Sequence, residues 1–229
     1  NELIDKCREE ENLLISDSRQ WEVAKKNYRE FAQKFLQFEK QWLDKFSETK
    51  TIGREVKLRA RWSLEKKQFV SIDEEGIEFR GSIDRVDSDG CGHAVVLDYK
   101  SSPSQANNYG NWLAQDILQL PVYSYLVSRG LTELAAHEVW GAGYYVLKDF
   151  TRHKGFWLLG VNSSLFEAHK KNRNLLERED LQQLYSAILQ RVEIIITSIV
   201  SGAFAPVPKD IKTCQNCSWR TLCRAPHLV

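Results

Sequence analysis

The chain has 229 residues, 42% of them hydrophobic and 28% charged, with a formal net charge of +1. Those proportions exclude a disordered or low-complexity protein and leave room for one substantial domain or two small ones. Near-neutral charge offers no global attraction to nucleic acid, so any basic surface has to be local. No apolar run reaches the length of a membrane span, residues 1–30 are too charged for a secretory signal, and no membrane partner is expected. Of five cysteines, three lie in the last sixteen residues, which reads as metal binding in a reducing compartment, the cytoplasm, and not as a disulfide frame. The chain begins on Asn1 and has no methionine, so it reads as a trimmed or excised piece in which some spacings run short.

After Ser16-Asp17-Ser18, apolar residues at Trp21, Ala24, Tyr28, Phe31, Phe35, Phe38, Trp42 and Phe46 predict a long amphipathic helix, broken over 47–53. Residues 54–67, REVKLRARWSLEKK, place Arg54, Lys57, Arg59, Arg61, Lys66 and Lys67 around Trp62. This is either a solvated helix face or a strip that grips phosphates and stacks a base. Strands are predicted at about 66–73, 76–86 and 93–100, the last two joined by the turn Asp87-Ser88-Asp89-Gly90. A helix at about 106–129 follows, ending near Gly130, with Tyr109 and Trp112 either bordering a cleft or in the core. Strands at about 136–147 and 155–161 and a helix from Leu181 to Ile199, closed by Gly202, complete the body. Pro206 and Pro208 set off the tail. The order α-β-β-β-α-β predicts an α/β core with appended helices. It divides into an N-terminal helical segment (1–53), a core with its helical extension (54–205) and a cysteine-rich tail (206–229).

The stretch VVLDYKSS, residues 95–102, ends a buried strand on an acid, an aromatic and a base. Alternation puts Asp98 and Lys100 on one face and Tyr99 on the other. A strand-end ion pair accounts for this if nothing else joins it. Upstream, FRGSIDRVD (79–87) gives Ile77, Phe79 and Ile83 one, core-facing, parity and Ser82 and Asp84 the other. Asp84 then shares a cleft with Asp98 if the strands are hairpin neighbours, although a salt bridge to Arg85 or a turn role explains Asp84 alone. Two carboxylates at strand ends with an ammonium beside them suit a hard divalent cation with open positions for water and phosphate.

Gly81-x-x-Asp84-Arg85 followed by Asp98-x-Lys100 resembles the PD-(D/E)XK nuclease superfamily, and Gln119-x-x-x-Tyr123 resembles the signature of its RecB-like branch. The resemblance implies a restriction-endonuclease-like fold. It implies Mg²⁺ or Mn²⁺ on Asp84, Asp98 and the Tyr99 carbonyl, with Lys100 orienting water or stabilising charge and Gln119 and Tyr123 lining the cleft. The function implied is a DNA exonuclease of repair or recombination, acting on single-stranded or end-bearing DNA beside a helicase domain or subunit. Pro121, between Gln119 and Tyr123, predicts a kink. Many members of that branch carry a metal-binding histidine before the first aspartate. Here the first histidine is His93, leaving Glu55 or Glu65 to stand in.

Cys214, Cys217 and Cys223, with spacings x2 and x5, read as metal ligands. With His227 they form a contiguous Cys₃His set for zinc, which the residues alone favour; with Cys7 they form a four-thiolate set for a [4Fe–4S] cluster. In AddB-type helicase–nuclease subunits and iron–sulfur CRISPR-associated nucleases, one upstream cysteine joins such a C-terminal trio, and that resemblance favours the cluster, closing the chain ends on the core. Cys91, between glycines, reads as an isolated thiol. Two other readings remain: a nuclease fold that binds or scaffolds DNA without cutting, and a zinc-binding interaction domain with incidental acids.

Overall fold

The apolar spacing after residue 20 folds as predicted: α2 (Ser18–Lys45) is one continuous helix, preceded by α1 (Glu2–Glu10). Asp5 of α1 accepts a hydrogen bond from the Trp21 indole at 3.2 Å and pairs with Lys25, tying the two helices together. The computed structural model describes residues 2–10, 18–161, 165–166, 174–203, 208 and 211–223. It divides into two compact units, Asn1–Ile188 and Leu189–Val229.

The chain enters its sheets earlier than the sequence predicts. The stretch read as a basic strip or helix face contains the second half of β1 (Lys50–Lys57) and all of β2 (Ala60–Ser63), ahead of β3 (Gln68–Ser71) and β4 (Ile77–Phe79). Strand β1 lies at a sheet edge, where charged residues discourage pairing with another chain, and that charge masked its alternation. Trp62 is 1% exposed and meets Phe69 edge-on, so it fills the core and offers no platform for a base. Arg61 donates to the Glu74 carbonyl and Lys66 pairs with the Glu74 carboxylate, while Arg54, Lys57 and Arg59 are exposed. Ile77, expected inward, is exposed on β4, whereas Phe79 packs on Phe69 and Ile83 is fully buried.

Next come β5 (Ser82–Ser88) and β6 (His93–Lys100), joined by residues 89–92, two residues later than the predicted turn because Asp87 and Ser88 still pair in the ladder. Helix α3 (Gln119–Ser128) is shorter than predicted, because residues 103–118 hold two 3-10 turns in place of its first turns. Asn107, Asn108, Gly110 and Asn111 are weak helix formers. The Lys154 ammonium takes the Pro103 and Ala106 carbonyls at 2.7 and 2.8 Å, satisfying that backbone without a helix. Starting at Gln119 also removes the predicted kink: Pro121 sits in the first turn, where its missing N–H has no intrahelical partner to lose. Strands β7 (Glu138–Val146), β8 (Thr151–Leu158) and β9 (Leu175–Leu176) lead to α4 (Arg178–Val200).

Six strands form one sheet in the order β1-β5-β6-β7-β8-β9, and β3-β2-β4 form a second. Strands β5 and β6 are an antiparallel hairpin, whereas β6 and β7 run parallel, with α3 in the crossover that parallel neighbours require. Helix α2 packs on one face of the larger sheet, setting Phe35 and Phe38 against Tyr145, each at 5.8 Å. Helix α3 packs on the other, with Tyr123 against Gly81. The result is the mixed α/β architecture of a restriction-endonuclease-like fold.

Helix α4 buries Leu181, Tyr185, Ile188, Val192 and Ile196 at helical spacing. Contrary to the sequence reading, its length and apolar content would permit a membrane crossing. In the smaller unit, Cys214 lies in a 3-10 helix (Ile211–Asn216), and the turns that follow carry Cys217 and Cys223.

Candidate active site

Strands β5 and β6 pair from Ser88↔Ala94 to Arg85↔Leu97, and the ladder stops there although both strands continue. One residue further the register sets Asp84 opposite Asp98. Here the Tyr99 N–H, left without a ladder partner, donates to Asp84 Oδ2 at 2.6 Å. The parted strands therefore end on two carboxylates, and the register across β7 adds Tyr144 beside Asp98. Lys100 Nζ lies 2.5 Å from Asp98 Oδ2 as an ion pair, without hydrogen-bond alignment. Tyr99 turns to the opposite face and meets Tyr145 at 5.3 Å, as alternation predicts.

Arg85 does not pair with Asp84. It points through the other face of β5 to Glu39 at 2.5 Å and Asp87 at 2.7 Å, which removes the simplest structural account of Asp84.

Burial raises the pKa of Asp84, and the Glu55 charge adds to it against the Tyr99 N–H and Lys100. Burial likewise raises Asp98, with Asp84 adding to it against Lys100. One ammonium thus faces two desolvated acids, with a third acid nearby. The third, Glu55, stands opposite Asp84 on β1, since its neighbours pair as Arg54↔Arg85 and Val56↔Ile83. Its carboxylate accepts from Ser82 Oγ at 2.8 Å, and its backbone is left-handed at φ 50°. Glu65, the other suggested stand-in, lies in the β2–β3 turn, and His93 lies at the far end of β6, bound to Asp89 at 2.6 Å and stacked on Trp140.

Helix α3 brings Gln119 and Tyr123 to the same place. The Tyr123 hydroxyl is in polar contact with the Gln119 side chain and the Ser82 backbone, and burial first, then Asp98 and Asp84, raises its pKa. A Cβ at Gly81 would come within 2.8 Å of that hydroxyl and 3.1 Å of Leu58 Cδ1. Gly81 is therefore glycine for want of space, and it joins the two sequence signatures physically.

The donors suit a hard cation: two desolvated carboxylates share the one Lys100 ammonium, which lies on Asp98 Oδ2. Among the described residues no three His, Cys, Asp or Glu side chains gather as a metal cage. That finding covers Cys214, Cys217 and Cys223, so the expected cysteine-held metal is not assembled there; His227 lies outside the described residues. Sequence reasoning missed Tyr144, which the β6–β7 register places beside Asp98 and whose aromatic neighbours on β7 gave no sign of that.

Parted strand ends, an acid pair and an adjacent lysine on an α/β sheet define a site of the nuclease class. The family model for the PD-(D/E)XK nuclease superfamily matches residues 1–224, and the chain belongs to that superfamily. No curated protein matches it. Membership points to nuclease activity, and Mg²⁺ or Mn²⁺ is the usual cofactor of the superfamily.

Proposed function

We propose that the protein is a metal-dependent DNA nuclease of the RecB-like branch, an exonuclease working in DNA repair or recombination in the cytoplasm beside a helicase domain or subunit. The observation that carries this reading is the desolvated Asp84–Asp98 pair with Lys100 alone opposite it. Asp84, Asp98 and the Tyr99 carbonyl would hold Mg²⁺ or Mn²⁺, which supplies a Lewis acid and a more acidic bound water. Lys100 orients the attacking water or stabilises charge on the phosphorane. Gln119 and Tyr123 position the substrate backbone. Exposed Arg54, Lys57 and Arg59 are candidates for phosphate contacts.

The nuclease core is assigned to residues 54–205, between the helical segment 1–53 and the tail 206–229. The tail is assigned a [4Fe–4S] cluster on Cys7, Cys214, Cys217 and Cys223, with zinc on Cys214, Cys217, Cys223 and His227 as the alternative. Its support is ligand type and spacing alone. Metal analysis and the visible spectrum of anaerobic protein separate iron from zinc.

The function is tested on linear and closed circular DNA, single- and double-stranded, with Mg²⁺ or Mn²⁺. Cleavage confined to linear DNA and abolished by Asp98→Asn and by Lys100→Ala is expected. Wild-type protein that binds metal and DNA and never cuts would leave a scaffold in place of an enzyme.

A further inference from the structure

Tyr144 is 2% exposed and Trp112 is fully buried, yet neither the Tyr144 hydroxyl nor the Trp112 indole N–H has a well-aligned hydrogen-bond partner. Buried polar groups without partners are rare, because each forfeits its hydration for nothing. The two are neighbours of each other and of the acid pair. The indole N–H lies near the Tyr144 oxygen, and the Asp98 charge reaches the same hydroxyl. The parallel register places Tyr144 directly beside Asp98, and the Lys100 ammonium is 5.9 Å from the Tyr144 ring centre. Burial pushes the hydroxyl up to about 12, so it carries its proton at neutral pH.

The donor inventory gives this chain one direction. An indole N–H only donates and a carboxylate only accepts, so the hydroxyl between them can take the first and give to the second. It gives nothing to Asp98 here, where the Lys100 ammonium holds Oδ2. A divalent cation beside Asp98 would repel the ammonium and leave that oxygen in need of a donor.

We propose that Tyr144 is a positioning residue for Asp98: its hydroxyl is the reserve donor that takes Asp98 Oδ2 when Lys100 leaves it, holding the carboxylate in place for a cation. This rests on the nuclease reading, in which Asp98 holds metal. It predicts an unusual pairing of effects. Without metal the hydroxyl is an orphan, so deleting it costs no stability; with metal it orients a ligand, and losing such support typically costs about tenfold or more in metal affinity.

The test is calorimetric Mn²⁺ titration, with melting of the metal-free protein, on wild type, Tyr144→Phe and Tyr145→Phe. The last is the neighbouring hydroxyl, which faces the other way and donates to Glu39. Tyr144→Phe should bind Mn²⁺ about tenfold or more weakly and melt no lower than wild type. Tyr145→Phe should melt lower and bind Mn²⁺ normally. Unchanged Mn²⁺ affinity in Tyr144→Phe, or a lower melting point accompanying its loss, overturns the positioning role and leaves the nuclease reading standing. Wild-type protein that takes no Mn²⁺ overturns both.

Discussion

Strand β5 carries two polar clusters on its two faces. Toward α2, Glu39, Arg85, Asp87 and Arg152 form a closed ring with contacts of 2.5–3.1 Å. Tyr145 and Thr51 donate to its acids, each at 2.8 Å, and the Arg152 guanidinium lies over Trp42 at 4.2 Å. Two acids meet two bases. Glu39 loses hydration, but Arg152 and Arg85 overcome that and lower its pKa; Arg85, despite the same burial cost, is raised by Asp87 and Glu39. Toward α3, Asp84 and Asp98 meet one lysine, and burial dominates, raising both. The same backbone therefore presents a balanced cluster that specifies packing and an unbalanced one with an excess of negative charge. Burial of charge alone does not mark a functional site; the sign of the imbalance does.

Removing one member from each cluster tests the contrast. Arg85→Met should have the largest effect on stability, about 3–5 kcal/mol by denaturant unfolding, because Glu39 and Asp87 would be left buried with only Arg152. Asp84→Asn in metal-free protein should be neutral or stabilising by the same measurement, since it relieves repulsion. An Arg85→Met variant as stable as wild type would break the comparison.

Gly81→Ala comes next. A methyl at 2.8 Å from the Tyr123 hydroxyl has to displace that side chain or the elements that carry it, with a cost of about 1–3 kcal/mol. Cleavage should fall further than that cost explains, because the Tyr123 hydroxyl is displaced from the acid pair. Unfolding and a nuclease assay side by side separate the two effects.

The smallest effect is the pH dependence, where the faces should differ in sign. Glu39 is depressed below 4.5, so its contribution is present above that value and lost as pH falls through its lower folded pKa. The stability lost in Glu39→Gln should therefore shrink over that acidic range. Asp98 is raised above 3.8, so its charged form opposes folding above its folded pKa and ceases to as pH falls through it. Any stability gained by Asp98→Asn should vanish on acidification in metal-free protein.

Much of the site was legible. Strand alternation and the expected β5–β6 hairpin set Asp84, Asp98 and Lys100 together, and helical spacing brought Gln119 and Tyr123 to join them. The balanced ring was not foreseen, because its members come from α2, β5 and β8, and only tertiary packing brings them together. Glu39 left a trace, as an acid four residues after Phe35 and three before Trp42 on an apolar stripe. Edge strand β1 was hidden by its charges, and Trp62, with basic neighbours in sequence, was drawn into the core by β2 pairing with β3 and β4. The late start of α3 depends on Lys154, distant in sequence.

The most direct test is the melting temperature of wild type and Asp98→Asn, each with and without Mn²⁺. A ligand that binds only the folded state raises its stability by mass action, so wild type should gain several degrees with Mn²⁺ in excess. Asp98→Asn should melt at or above wild type without metal and gain little from Mn²⁺. An Asp98→Asn variant that melts well below wild type without metal, with Mn²⁺ raising both equally, would show Asp98 to be a structural ion-pair partner of Lys100 and contradict the account.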